Sequence, residues 1–246
     1  MSRYKILIFD LDDTLIDNVE NTRTGFRHMM TAHGGGYSDA KFARWREINE
    51  KFWRDYQDGL IVIPEKFRKE KAYDRKSQSY LNWIRSQRVS IFFNHKISAK
   101  RAIELSNIYL SALTETIIPI KGAAEILQYL SEHGYKIIVA TNGPSNATQC
   151  KVDGIGATEY IAEILSADMF GCSKPNPRFF AGIEEHYHDF KKSDYLIIGD
   201  SLKSDIGLAM NVGIDSCWLN SSAEQLTDEY KPTYIIKQLA ELRAIL

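Results

Sequence analysis

The run Tyr4-Lys5-Ile6-Leu7-Ile8-Phe9-Asp10-Leu11-Asp12-Asp13-Thr14 decides the fold. Its first six residues are apolar without alternation, apart from Lys5. The strand they predict is therefore buried on both faces, as in a parallel sheet. Two later runs have the same character, Lys136-Ile137-Ile138-Val139-Ala140 and Tyr195-Leu196-Ile197-Ile198-Gly199. Ile161–Leu165, Ser216–Leu219 and Tyr234–Ile236 are weaker strand candidates. Helical patterns separate them. Residues Ala123–His133 carry Ala123, Ile126, Leu127 and Leu130 at helical spacing, with Gly134 as a stop. Arg178–His186 follow Pro177 at a helix start, and Ser204–Asn211 end at Gly213. Strand alternating with helix predicts βαβ units, and so an α/β, doubly wound, Rossmann-like parallel sheet.

Residues 18–114 break that rhythm. Apart from a short apolar run at Leu60–Ile63 they read as helices over about Val19–Ala32, Asp39–Gln57, Glu65–Arg88 and Ala99–Thr114. The expected organisation is a core from residues 1–17 and 115–246, interrupted by an all-helical insert, 18–114. Gly34-Gly35-Gly36 reads as a helix stop and not a phosphate cradle, because no strand precedes it. On the helix around them, Trp45, Ile48, Phe52 and Tyr56 share one stripe, which reads first as packing and second as a base-stacking platform.

Bulk properties narrow the function. The 246 residues suit one large domain or a core with an insert, and a net charge of -1 argues against a nucleic-acid partner. No apolar run is long enough to cross a membrane, and the first strand begins too early to leave room for a signal peptide. Cys150, Cys172 and Cys217 read as reduced thiols of a cytoplasmic protein, not a disulfide frame or zinc site. Charge is uneven: residues 18–112 hold 18 Lys/Arg against 10 Asp/Glu, and the remainder 13 against 22. This fits two solvated surfaces, or a basic segment facing an acidic one across an anionic ligand.

Each of the three strongest strands ends in a polar residue: Asp10, then Thr141-Asn142-Gly143, then Asp200 after Gly199. In open parallel sheets ligands bind beyond the carboxyl ends of the strands, where residues distant in sequence converge. One such Asp alone reads as a cap or turn residue. Taken together, Asp10-Leu11-Asp12-Asp13-Thr14, Thr141, Lys174-Pro175 and Gly199-Asp200-Ser201-Leu202-Lys203-Ser204-Asp205 resemble the four ordered motifs of the haloacid dehalogenase (HAD) superfamily. The resemblance covers the whole chain, and the helical insert stands where that superfamily carries its C1 cap.

The resemblance implies a magnesium-dependent phosphohydrolase. Asp10, ionised at neutral pH, is the candidate nucleophile, forming an aspartyl-phosphate. A cation is needed to bring two anions together. Mg²⁺ would be held by the Asp10 and Asp200 carboxylates and, by resemblance, the backbone carbonyl of Asp12. Two residues beyond the nucleophile, Asp12 can protonate the leaving oxygen and then take a proton from water. Thr141 and the backbone N–H of Asn142 would bind phosphoryl oxygens, and Lys174 would bring positive charge to the phosphate and to Asp10. Asp205 would hold the metal through water or anchor Lys174, or is a plain first-turn helix acid. Asp13 is expected to face away and Thr14 to make a local turn bond.

An acid at Asp12 points to phosphate-ester chemistry, since cleavage of a carbon–halogen bond leaves no alkoxide to protonate. The partner is then a small phosphorylated metabolite. Trp53-x-x-Tyr56-x-x-Gly59 and Arg68 resemble the cap of the superfamily's pyrimidine nucleotidases, which implies a nucleoside 5′-monophosphate. A sugar-phosphate phosphatase, a phosphosugar mutase and a non-catalytic phosphate-binding module stand as alternatives.

Overall fold

A computed structural model describes residues 3–71, 77–143 and 145–246. The chain up to Asn18 together with Ile117–Leu246 forms one compact unit, and Val19–Thr116 forms a second.

The first unit is an α/β sandwich of three layers. Its strands are β1 (Ile6–Phe9), β2 (Lys136–Thr141), β3 (Glu163–Ser166), β4 (Tyr195–Gly199), β5 (Asp215–Leu219) and β6 (Tyr234–Ile236). They form one parallel sheet in the order β3-β2-β1-β4-β5-β6. The unbroken apolar runs have a direct cause. Leu7 and Phe9 face a layer built from Ile126, Leu127, Leu130 and Val152. Ile6 and Ile8 face the other, built from Phe179, Phe180, Ile183 and Leu208. Both parities of β1 are fully buried, each side chain contributing about 1.5–3 kcal/mol.

Helices α5 (Ala123–Glu132) and α6 (Ser145–Ile155) cover the first face. Helices α8 (Pro177–His186) and α9 (Gly207–Val212) cover the second, after the short α7 (Ala167–Phe170). The sequence patterns do not predict α6. They predict a helix over Ser204–Asn211, whereas the structure opens it at Leu202 with a π-helical turn, Leu202–Ile206, before α9 begins. Strand order reverses at β1: β2 and β3 lie on one side of it, β4 to β6 on the other. Such a reversal opens a crevice beyond the strand ends.

The second unit is helical: α1 (Asn18–His33), α2 (Asp39–Gln57), a 3₁₀ segment (Glu65–Lys71), α3 (Gln78–Phe92) and α4 (Ala99–Glu115). Ser38, Ser77 and Ser98 precede α2, α3 and α4, and each side chain accepts a backbone N–H of the first turn. Gly34 ends α1 at φ +82°, a conformation a side chain disfavours. Leu60–Ile63 form no strand. A continuous helix over Glu65–Arg88 is not found. Glu65–Lys71 is 3₁₀, residues 72–76 lie outside the described residues, and α3 starts afresh behind Ser77. The Trp45 stripe is packing. Trp45 is buried with Phe26, Phe92 and Tyr109, and Phe52 with Phe67, Tyr80 and Ile84, Ile48 and Tyr56 lining the two clusters. Among the described residues no helix is long and apolar enough to cross a membrane.

Candidate active site

Asp10 follows β1 directly, and its backbone N–H donates to Ile198 O at 2.8 Å, so the neighbouring β4 fixes its position. One residue beyond β4 stands Asp200. Its backbone N–H donates to Thr14 Oγ1 at 3.0 Å, and its carbonyl accepts Trp218 Nε1–H at 2.7 Å. Thr14 Oγ1 in turn donates to Asp200 Oδ1 at 3.4 Å. The expected local turn bond of Thr14 is thus replaced by a long-range one. The buried hydroxyl joins the loop after β1 to the loop after β4.

Lys174 is the centre of charge. Its ammonium is buried and donates to Asp10 Oδ1 at 2.6 Å, Asp205 Oδ1 at 2.7 Å and Ala140 O at 2.7 Å, which uses all three donors. Its backbone is held as well. Asn142 Nδ2 donates to Lys174 O at 3.1 Å, and Asn142 Oδ1 accepts Lys174 N–H at 2.8 Å. Asn142, assigned to the phosphate through its backbone, therefore has a side-chain role of its own. The Lys174–Pro175 peptide is cis.

Asp205 is fully buried and bonded through both oxygens, Oδ2 accepting the Ser201 N–H at 3.1 Å. This packing requires Gly199, since a Cβ there would stand 2.2 Å from Asp205 Oδ2. The π-helical turn at Leu202–Ile206 carries this carboxylate back over the strand end.

Carboxylate oxygens of Asp10, Asp200 and Asp205 lie within 4.8 Å of one another. With one ammonium among three carboxylates, negative charge is in excess. Burial pushes Asp10 well above the usual carboxylate range despite the opposing pull of Lys174, with Asp205 and Asp200 adding to the rise. Burial, then the charges of Asp205 and Asp13, push Asp200 up to about 7. Asp13, expected to face away, thus acts on the site through its field. Burial alone would lower Lys174, but Asp10 and Asp205 raise it overall and keep it charged. A cluster of hard oxygen donors short of positive charge is chemically suited to Mg²⁺, so the residues fit that ion.

Thr141 closes β2, buried, with its Oγ1 accepting Gly143 N–H at 2.9 Å. Asp12, on the β1 loop, is paired with a residue the sequence patterns do not single out: Lys151 of α6 donates to Asp12 Oδ1 at 2.5 Å. A lone lysine in an unrecognised helix carries no signal of this.

The sequence pattern of the haloacid dehalogenase-like hydrolases matches residues 4–213. The chain belongs to that family. This HAD-like hydrolase is 25% identical to the pyrimidine 5′-nucleotidase YjjG of Escherichia coli, over 98% of this chain and 96% of that protein. It is 26% identical to a glyceraldehyde 3-phosphate phosphatase of Pyrococcus furiosus, over 100% of this chain and 94% of the other. The HAD-hydrolase YfnB of Bacillus subtilis, solved bound to magnesium, superposes with a TM-score of 0.81 at 26% identity, covering 100% of this chain and 99% of that one.

In the helical unit, Trp53 and Tyr56 pack around Phe52, the Tyr56 and Tyr80 hydroxyls are 2.8 Å apart, Gly59 has φ +72°, and Arg68 is exposed. Arg88, also unmarked by the sequence, is buried there. It donates to Asn49 Oδ1 and to Arg85 O, and lies over the Trp53 ring at 4.9 Å. Burial pulls it down to about 10.

Proposed function

We propose that this HAD-family phosphatase hydrolyses nucleoside 5′-monophosphates, with Asp10 as nucleophile and Mg²⁺ held by Asp10, Asp200 and the backbone carbonyl of Asp12. The observation that carries this reading is the meeting of Asp10, Lys174, Asp200 and Asp205 at the carboxyl ends of β1 and β4, where the strand order reverses. These residues would hold the ion where its charge would offset that of the phosphate as Asp10 approaches. Asp10 attacks phosphorus, the ester P–O bond breaks, and Asp12 gives its proton to the leaving oxygen. Water then attacks the aspartyl-phosphate and loses a proton to Asp12, and Asp10 is regenerated as inorganic phosphate leaves. Thr141 and the Asn142 backbone N–H bind phosphoryl oxygens, and Lys174 holds Asp10 in place. Asp205 serves by anchoring Lys174.

Likeness to YjjG supports the nucleotide as substrate. A second reading, a small sugar- or triose-phosphate substrate, has support in the Pyrococcus furiosus relative. Phosphate release across nucleoside monophosphates and sugar phosphates, with and without Mg²⁺, decides between them. A kcat/KM at least about tenfold higher for a nucleotide is expected, and a sugar phosphate leading by that margin would overturn the substrate assignment. No release from any substrate, p-nitrophenyl phosphate included, would reduce the chain to a phosphate-binding module.

A further inference from the structure

Asp12 has one carboxylate oxygen engaged and one directed elsewhere. Oδ1 accepts Lys151 Nζ at 2.5 Å. Oδ2 lies by the loop after β2, 3.8 Å from where a Cβ on Gly143 would stand, and the same point is 3.2 Å from Thr141 Oγ1. The pair is not a solvated surface contact: the side chains are 18% and 29% exposed and 139 residues apart in sequence. The helix that brings Lys151 is itself pinned at both ends. At its start the Asp168 carboxylate accepts Ser145 N–H at 3.1 Å and Ser145 Oγ–H at 2.7 Å. Near its end Gly154 lies so close to Ile117 that an added Cβ would meet Ile117 Cβ at 2.3 Å. Lys151 is thus presented by a fixed helix to a loop residue whose side chain must be aimed.

We propose that Lys151 is a positioning residue for Asp12, holding Oδ1 so that Oδ2 stays turned to the Thr141–Gly143 loop, where the leaving oxygen receives its proton. The proposal rests on the role given to Asp12 above and adds a residue to that machinery. In the step concerned, the Asp10 Oδ–P bond forms as the ester P–O bond breaks. The proton on Asp12 passes to the departing oxygen, which leaves as an alcohol. A misaimed Asp12 slows this step only where the leaving oxygen needs the proton.

Leaving-group dependence is the test. kcat/KM covers the steps up to departure of the alcohol, so it is free of the later hydrolysis of the aspartyl-phosphate. Lys151→Met is expected to lower kcat/KM about 10- to 100-fold for an alkyl phosphate or nucleotide, and less than about threefold for p-nitrophenyl phosphate, whose phenolate leaves unaided. Lys151→Arg should restore most of the loss. Equal losses on both substrates, or no loss on the alkyl ester, overturn the proposal. Asp12→Asn runs beside it. If that variant shows the split and Lys151→Met does not, the Lys151 assignment alone falls. If Asp12→Asn shows no split, Asp12 is not the acid and the proposal falls with that role.

Discussion

Without metal, Asp200 should make the protein less stable as pH rises. In the folded chain its carboxyl is pushed up to about 7 from the ordinary 3.8, so the fold prefers it protonated. Below about pH 4 it is protonated in both states and contributes nothing. As pH climbs from there toward 7 the unfolded chain ionises first, and stability falls. The full cost is about three pH units, or roughly 4 kcal/mol, reached above about pH 7. A divalent cation among Asp10, Asp200 and Asp205 removes the cost, so its stabilising effect should grow over the same window. Melts of wild type and Asp200→Asn, each in EDTA and in Mg²⁺, from about pH 5 to about pH 8, read this out. Differencing the two proteins cancels the titrations that Asp200 does not touch and leaves its own together with its effect on Asp10. Across that range in EDTA the wild type should lose about 2.5 kcal/mol relative to the variant, roughly 5–10 °C in midpoint, and Mg²⁺ should recover it in the wild type only. Parallel curves in EDTA, or a Mg²⁺ shift of equal size at both ends of the range, would refute the electrostatic account of the cluster.

Asp10→Asn should cut phosphate release roughly 1000-fold or more while leaving the melt unchanged or raised, since it removes the attacking charge and also a costly buried one. Lys174→Met leaves Asp10 and Asp205 buried without their cation and should cost about 3–5 kcal/mol in denaturant unfolding, along with turnover; a stability change below about 1 kcal/mol would count against the ammonium as the cluster's centre. Gly199→Ala places a methyl 2.2 Å from Asp205 Oδ2 and should cost about 3 kcal/mol, with Mg²⁺ affinity by calorimetry falling alongside; a variant as stable as wild type contradicts the close approach. Thr14→Val removes the hydroxyl shared by Asp200 N and Oδ1, for an expected loss of about 1–2 kcal/mol by chemical denaturation.

What could be read from the sequence, and what could not, divides by range. Strands β1, β2 and β4 announce themselves because burial on both faces demands unbroken apolar runs, and their polar ends mark the cluster. Helix α6 stays hidden because its start is capped from a distance, by Asp168, and its own sequence is weakly periodic. With α6 unseen, Lys151 cannot be placed. Thr14 misleads for the same reason: a threonine beside a turn predicts a bond to its neighbours, whereas its partner lies 186 residues away. The break in Glu65–Arg88 is marked by Ser77, a good N-cap that stands inside an otherwise continuous helical pattern.

The Asn142 side chain grips both backbone groups of Lys174, and so makes one rigid piece of the segment leaving β2 and the segment leaving β3. Surface loops ordinarily drift independently. Here a single amide ties the threonine's neighbourhood to the lysine's, so a shift in one is transmitted to the other.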